Sequence, residues 1–206
     1  MMLRIGRQIR SVEEWLAEAP PKQGIKQWAD GRSAKELARA WFPAAGEPRI
    51  PREFQELLDS RQETQAPILD RGEPEHVTHF DRCGGEGRNA DLVLWGRTPA
   101  GKLLASIEAK ADEPFGEIAG EYVRKRVAAN PRSRVPERFE LLCRGVLGVE
   151  PENEEAQILR YQLFTAIAGA WAEAQEYGAN ATLFVVHEFV GRTDDDKLAA
   201  NAQDLN

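Results

Sequence analysis

The run Asn89-Ala90-Asp91-Leu92-Val93-Leu94-Trp95, followed after Gly96-Arg97-Thr98-Pro99-Ala100-Gly101 by Leu103-Leu104-Ala105-Ser106-Ile107-Glu108-Ala109-Lys110, decides the fold. Two apolar runs flank a stretch of turn formers, which predicts neighbouring strands of a hairpin. Side chains alternate along a strand, so Glu108 and Lys110 share one face while Ile107 and Ala109 take the other. Asp91 heads the first strand, approached through Gly84, Gly85 and Gly87. The pairing brings two carboxylates and one ammonium to one small surface.

Those residue types suit a hard divalent cation. Mg2+ or Mn2+ takes oxygen ligands and keeps several waters, so Asp91 and Glu108, with the Ala109 carbonyl as a third donor, suffice beside a substrate phosphate. Such a cation polarises a phosphoryl group and acidifies a bound water, and Lys110 is placed to orient that nucleophile. The plainer alternative is a cross-strand ion pair on a solvated sheet face, which needs no metal.

With Asp91 as a first acid and Glu108-Ala109-Lys110 as an E-x-K tripeptide, the chain resembles the PD-(D/E)xK nuclease superfamily over roughly residues 51 to 190, a domain-sized stretch. The resemblance implies an α/β (α+β) core, a mixed sheet of about four to five strands flanked by helices. It implies a later helix whose Gln approaches the site, for which Gln162 in Arg160-Tyr161-Gln162-Leu163-Phe164 is the candidate, and a further strand, which residues 181 to 190 fit. An acid on the helix before the first strand joins some such sites, which makes Glu56 an extra metal ligand. The chain departs from the pattern in having Ala90 rather than Pro before Asp91, and in a long helical insertion before Gln162.

Composition bounds the rest. With 206 residues and 42% hydrophobic content, the chain buries a core without staples. Cys83 and Cys143 form no C-x-x-C, so neither a zinc ribbon nor a disulfide framework is expected, and a reduced cytoplasm is the simplest setting. Residues 1 to 20 carry charges throughout and no signal-peptide core, and no run approaches a membrane span. The net charge of −7 disfavours nonspecific attraction to a phosphate backbone. Residues 121 to 144, however, carry seven Arg and Lys against three Glu, a local +4, so Arg124, Lys125, Arg126, Arg132 and Arg134 are expected to contact nucleic acid, DNA or RNA. A solvated helix face is the competing reading of that window.

Along the chain, residues 1 to 50 read as a helical extension packed on a core of residues 51 to 206, with the insertion at about 112 to 150. Ser11-Val12-Glu13-Glu14 and Ser33-Ala34-Lys35-Glu36 are capping-box patterns, and Pro51 opens a third helix. Trp15, Trp28 and Trp41 are expected in the core. Residues 75 to 81 read as a strand antiparallel to the one opened by Asp91, with His76 and His79 on opposite faces, and Glu86 and Arg88 fall in a glycine-containing loop within reach of substrate, a plain turn being the competing reading. After a turn at Asp112, helices are expected over 115 to 129 and 137 to 147, closed by Gly148, and then one long helix from Pro151 to Gly178. On it Leu163, Ile167, Ala170, Trp171 and Ala174 form an apolar stripe. The strand at 182 to 190 reads as interior, with His187 near the core, and Asp194 to Asp196 cap a last helix.

Two functions follow as expectations. One is a Mg2+-dependent nuclease in which Asp91, Glu108, Lys110 and Gln162 serve catalysis and Asp91, Glu108, Ala109 and Glu56 hold the metal. The other is a non-catalytic binding or assembly module on the same fold, in a bacterial defence or toxin system. Pairing of two copies stays open.

Overall fold

The computed structural model describes the chain apart from residues 1, 6, 23, 112, 191–194 and 206 and the side chains of 3, 5, 195–198 and 200. Among the described residues one mixed sheet holds β1 (Met2–Ile5), β2 (Arg7–Ile9), β3 (Ile68–Thr78), β4 (Arg88–Thr98), β5 (Gly101–Lys110) and β6 (Ala181–Glu188), in the order β2-β1-β3-β4-β5-β6. The expected hairpin is at its centre, antiparallel from Leu92↔Ile107 to Thr98↔Gly101. β3 lies antiparallel to β4, as expected, but runs back to Ile68 and stops short of His79. The α+β class with a mixed sheet flanked by helices holds. β1 and β2 were not legible, because three or four residues of alternating apolar and charged character are too short for a period to show.

The helices are α1 (Val12–Glu18), α2 (Ser33–Trp41), α3 (Arg52–Asp59), α4 (Ala119–Ala129), α5 (Val135–Leu142), α6 (Glu154–Ile158), α7 (Tyr161–Tyr177) and α8 (Asp195–Asp204). Ser11 caps α1 by accepting the Glu14 N–H at 3.1 Å, and Glu14 reaches back to the Arg10 N–H at 2.8 Å. Ser33 does not cap α2. Its hydroxyl donates to Glu113 while Glu36 accepts the Gly31 N–H.

Leu92, Leu94, Leu103, Ala105, Ile107 and Ala109 pack on one sheet face against Trp15, Leu37, Trp41, Phe54 and Leu58 of α1 to α3, with Trp28 at the margin. Each such large side chain contributes about 1.5–3 kcal/mol by leaving water. On the opposite face Val93, Trp95 and Leu104 meet Ala174 of α7. Phe139, Leu142, Cys143, Ala156 and Phe164 form a second cluster among the helices after β5. Both cysteines are free and buried. Among the described residues no helix is long and apolar enough to cross a membrane.

Three expectations are corrected. The single helix from Pro151 to Gly178 is broken, because Leu159 and Arg160 are extended and their backbone bonds residues 117 to 119: Leu159 C=O accepts the Ala119 N–H at 2.8 Å and Tyr161 N–H donates to Glu117 C=O at 3.1 Å. The apolar stripe of α7 is split, with Ala170 and Ala174 buried but Ile167 and Trp171 exposed. β6 is an edge strand with half-buried faces, not an interior one. Gly148 and Gly178 do end helical segments in the left-handed conformation. Asp112 and Asp194 lie outside the described residues, as do the side chains of Asp195 and Asp196.

Candidate functional site

The centre of the site is a fork in the sheet. β3 and β4 stay paired as far as Thr78↔Arg88, and β5 and β6 as far as Lys110↔Glu188, but pairing of β4 with β5 ends at Leu92↔Ile107. Asp91 is the next residue, three positions inside β4 rather than at its head. Its Oδ2 accepts the Ala109 N–H at 2.7 Å, taking the place of a cross-strand carbonyl. The side chain thus completes the ladder at the point where the strands separate.

Glu108 and Lys110 share a face of β5 and are both nearly inaccessible, at 3% and 4% exposure. Lys110 Nζ donates to Glu108 Oε1 at 2.8 Å and lies 5.3 Å from the centre of the Phe115 ring. Gln162 Nε2 donates to the same Oε1, and Arg88 Nη2 donates to Oε2. The helix break explains Gln162: with the chain extended at Arg160, Gln162 falls in the first turn of α7, at the positive dipole end that favours a nearby carboxylate. Gly169, two turns along, leaves room for Arg88, since a Cβ there would stand 2.9 Å from Arg88 Cγ.

Sequence reasoning missed two members. Glu75 falls opposite Asp91 in the β3–β4 register, between the pairs Pro74↔Leu92 and His76↔Ala90, and adopts φ +52°. A left-handed non-glycine residue costs about 1–3 kcal/mol and marks a constrained position. Asn89 Nδ2 donates to Glu75 Oε2. Pro74 is tolerated in β3 because β1 covers only Arg71 and Gly72, so the strand is an edge at that point. A Pro-Glu pair inside a strand was the available signal. Arg88, expected in a turn, opens β4 with its head group on Glu108.

The cluster is electrostatically frustrated. Burial first, and then the negative charge of Glu108 and of Glu75, holds the Asp91 carboxyl well above the usual carboxylate range, against the opposing bond from the Ala109 N–H. Burial and Glu108 likewise push Glu75 up. At the same floor Arg88 Nε and Asn89 Oδ1 are buried without a hydrogen-bond partner among the described residues.

Asp91, Glu108, Lys110 and Gln162 are therefore brought together. Ala109 enters through its N–H. Glu56 does not enter: it is exposed on α3, beyond the opposite sheet face, and pairs with Arg52 at 2.7 Å. Among the described residues no group of three or more His, Cys, Asp or Glu is placed to hold a metal ion. Mg2+ makes smaller demands, since one or two carboxylates and several waters satisfy it, and the oxygens of Asp91 and Glu108, with Asn89 Oδ1, unpartnered among the described residues, beside them, are the donor type such an ion takes.

The cluster floors a groove of ≈ 1020 Å³. One wall comes from Pro21, Lys22, Arg32 and Ser33, the other from the segment holding Tyr122, Arg126, Arg132, Arg134 and Arg138. Lys22 pairs with Glu86, and Ser33 with Glu113, so the N-terminal wall is pinned to the floor's margins. Of the arginines, Arg134 is held by Glu137 and Arg138 by Asp81, whereas Arg126 and Arg132 have no carboxylate partner among the described residues. Arg124 and Lys125 do not line this groove. Arg124 borders a separate cavity of ≈ 440 Å³, and Lys125 pairs with Glu117 at 2.8 Å.

No curated protein and no solved structure matches the chain. A family model does match, over residues 8–206, nearly the whole sequence and every residue of the cluster, and the chain accordingly belongs to the family described as a domain of unknown function (DUF6946).

Proposed function

We propose that this protein is a metal-dependent nuclease of the PD-(D/E)xK kind, hydrolysing phosphodiester bonds of nucleic acid in the groove above the sheet fork. The observation that carries the reading is the meeting of Asp91, Glu108, Lys110 and Gln162 at one point, on a floor flanked by arginines. Asp91 and Glu108 would hold Mg2+ or Mn2+, which supplies Lewis-acid polarisation of the phosphate. Lys110, buried against Glu108 and Phe115, presents its ammonium to the attacking water and to charge developing on the phosphate. Gln162 fixes the rotamer of Glu108. Arg132 binds a flanking phosphate, and with Arg126 it offsets the chain's overall negative charge.

One observation favours the second reading, a non-catalytic binding module: Arg88 occupies Glu108 Oε2, where a cation would sit. Incubation of purified protein with labelled single- and double-stranded DNA and RNA, with Mg2+, Mn2+ or chelator, separates the two. Metal-dependent cleavage that is lost in Asp91→Asn, Glu108→Gln and Lys110→Met, with unchanged thermal stability, supports the nuclease. Tight binding with no cleavage, unaffected by those three changes, supports the module.

A further inference from the structure

The groove wall above Gln162 is built as a layered stack. Tyr161, packed on the second helical cluster, lies face to face with Tyr122, their centroids 4.3 Å apart and planes 28° apart. The Arg126 guanidinium, one turn further along α4, covers Tyr122 at 5.5 Å from the ring centre. The stack therefore grows outward from the core, and its outermost layer is an exposed planar cation. All three residues, with Arg132, line the groove that contains Asp91 and Glu108. Tyr161, the innermost layer, is partly buried beside Arg138, and burial pushes the pKa of its hydroxyl up to about 12.

We infer that the Arg126–Tyr122–Tyr161 stack is a base-binding subsite, and that the substrate is a single-stranded or unpaired segment of nucleic acid. This inference rests on the nuclease reading for its ligand class and adds to it a strandedness. Three features support it. Every nucleobase offers a π face, and aromatic rings and guanidinium planes accept one without regard to sequence. In a paired duplex those faces are buried in the helical stack, so a protein ring reaches them only where the bases are splayed. Pro21, Lys22 and Ser33 of the N-terminal segment line the same groove, so a base on the stack would sit in a cleft rather than on an open platform. Arg132, with no carboxylate partner among the described residues, is placed to take the phosphate of the stacked nucleotide.

Fluorescence anisotropy in chelator, where cleavage cannot intervene, tests this with labelled oligothymidylate, oligouridylate, an abasic oligomer of the same length and charge, and a mixed-sequence duplex. Wild-type protein should prefer either single strand to the duplex. Tyr122→Ala, which removes the ring that carries the Arg126 plane, should weaken binding of the base-bearing strand about tenfold, the loss of one ordered stacking contact, while leaving the abasic oligomer unchanged. Tyr122→Phe, which retains the ring beneath Arg126, should bind as wild type, and Tyr122→Leu, which retains bulk but no π face to hold the guanidinium flat, should behave as alanine. Equal loss on base-bearing and abasic strands, no loss in either, or preference for duplex would each overturn the inference. Preference for single strands with the expected Tyr122 effect, but no cleavage once Mg2+ is added, would leave the subsite standing and remove the nuclease reading.

Discussion

At the level of single residues, Glu108 is the hub, with one oxygen shared by Lys110 and Gln162 and the other held by Arg88. On the nuclease reading, Arg88 is a resident counter-charge that an incoming divalent cation would have to displace. Arg88→Ala is expected to tighten Mg2+ or Ca2+ binding several-fold in isothermal titration, whereas an Arg that helps hold the ion would give weaker binding. Asp91 provides the pH dependence. Its folded carboxyl titrates above its unfolded value, so the folded chain binds the extra proton. The site consequently loses stability as pH rises from the ordinary carboxylate range to the raised one. Thermal melts in chelator should therefore show a downward slope with pH over that window, flattened in Asp91→Asn and by saturating Mg2+. Of this cluster, Asp91, Glu108 and Lys110 were legible in the sequence, because a strand period of two and an E-x-K spacing are local facts, whereas Gln162 was expected only from the resemblance. Glu75 was not legible, since its place depends on a left-handed backbone turn inside β3 that no alternation rule anticipates.

At the level of elements, α7 positions the site twice, through Gln162 in its first turn and through Gly169, which makes way for Arg88. Gly169→Val would drive a branched side chain into the Arg88 stem and should cost about 1–3 kcal/mol in urea denaturation, as overpacking of a tight contact does. The chain's helical periodicity ran unbroken through this region, and the interruption at Leu159 and Arg160 was invisible because its cause is tertiary: residues 117 to 119 offer backbone partners that outcompete continuation of the helix. The edge position of β6 was hidden for a related reason. Its apolar run satisfies an interior strand, and only the sheet order reveals that, among the described residues, β5 alone pairs with it. The central hairpin, by contrast, was readable from its turn and its two apolar runs, although β4 opens at Arg88, three residues before Asp91.

Over the whole molecule, an acidic chain presents a groove with arginines along one wall. Nucleic-acid affinity should fall steeply as salt rises, and Arg132→Ala should lower the log–log slope by about one while weakening all sequences alike, as a phosphate contact does. A slope unchanged by that substitution would place the backbone elsewhere. The forked sheet has one more consequence. Because the Ala109 amide donates to the Asp91 carboxylate instead of a strand carbonyl, its proton is a built-in reporter of the site. In a 1H–15N correlation spectrum that resonance should move with the titration of Asp91 and again when a cation takes the carboxylate, giving an occupancy signal that needs neither substrate nor turnover.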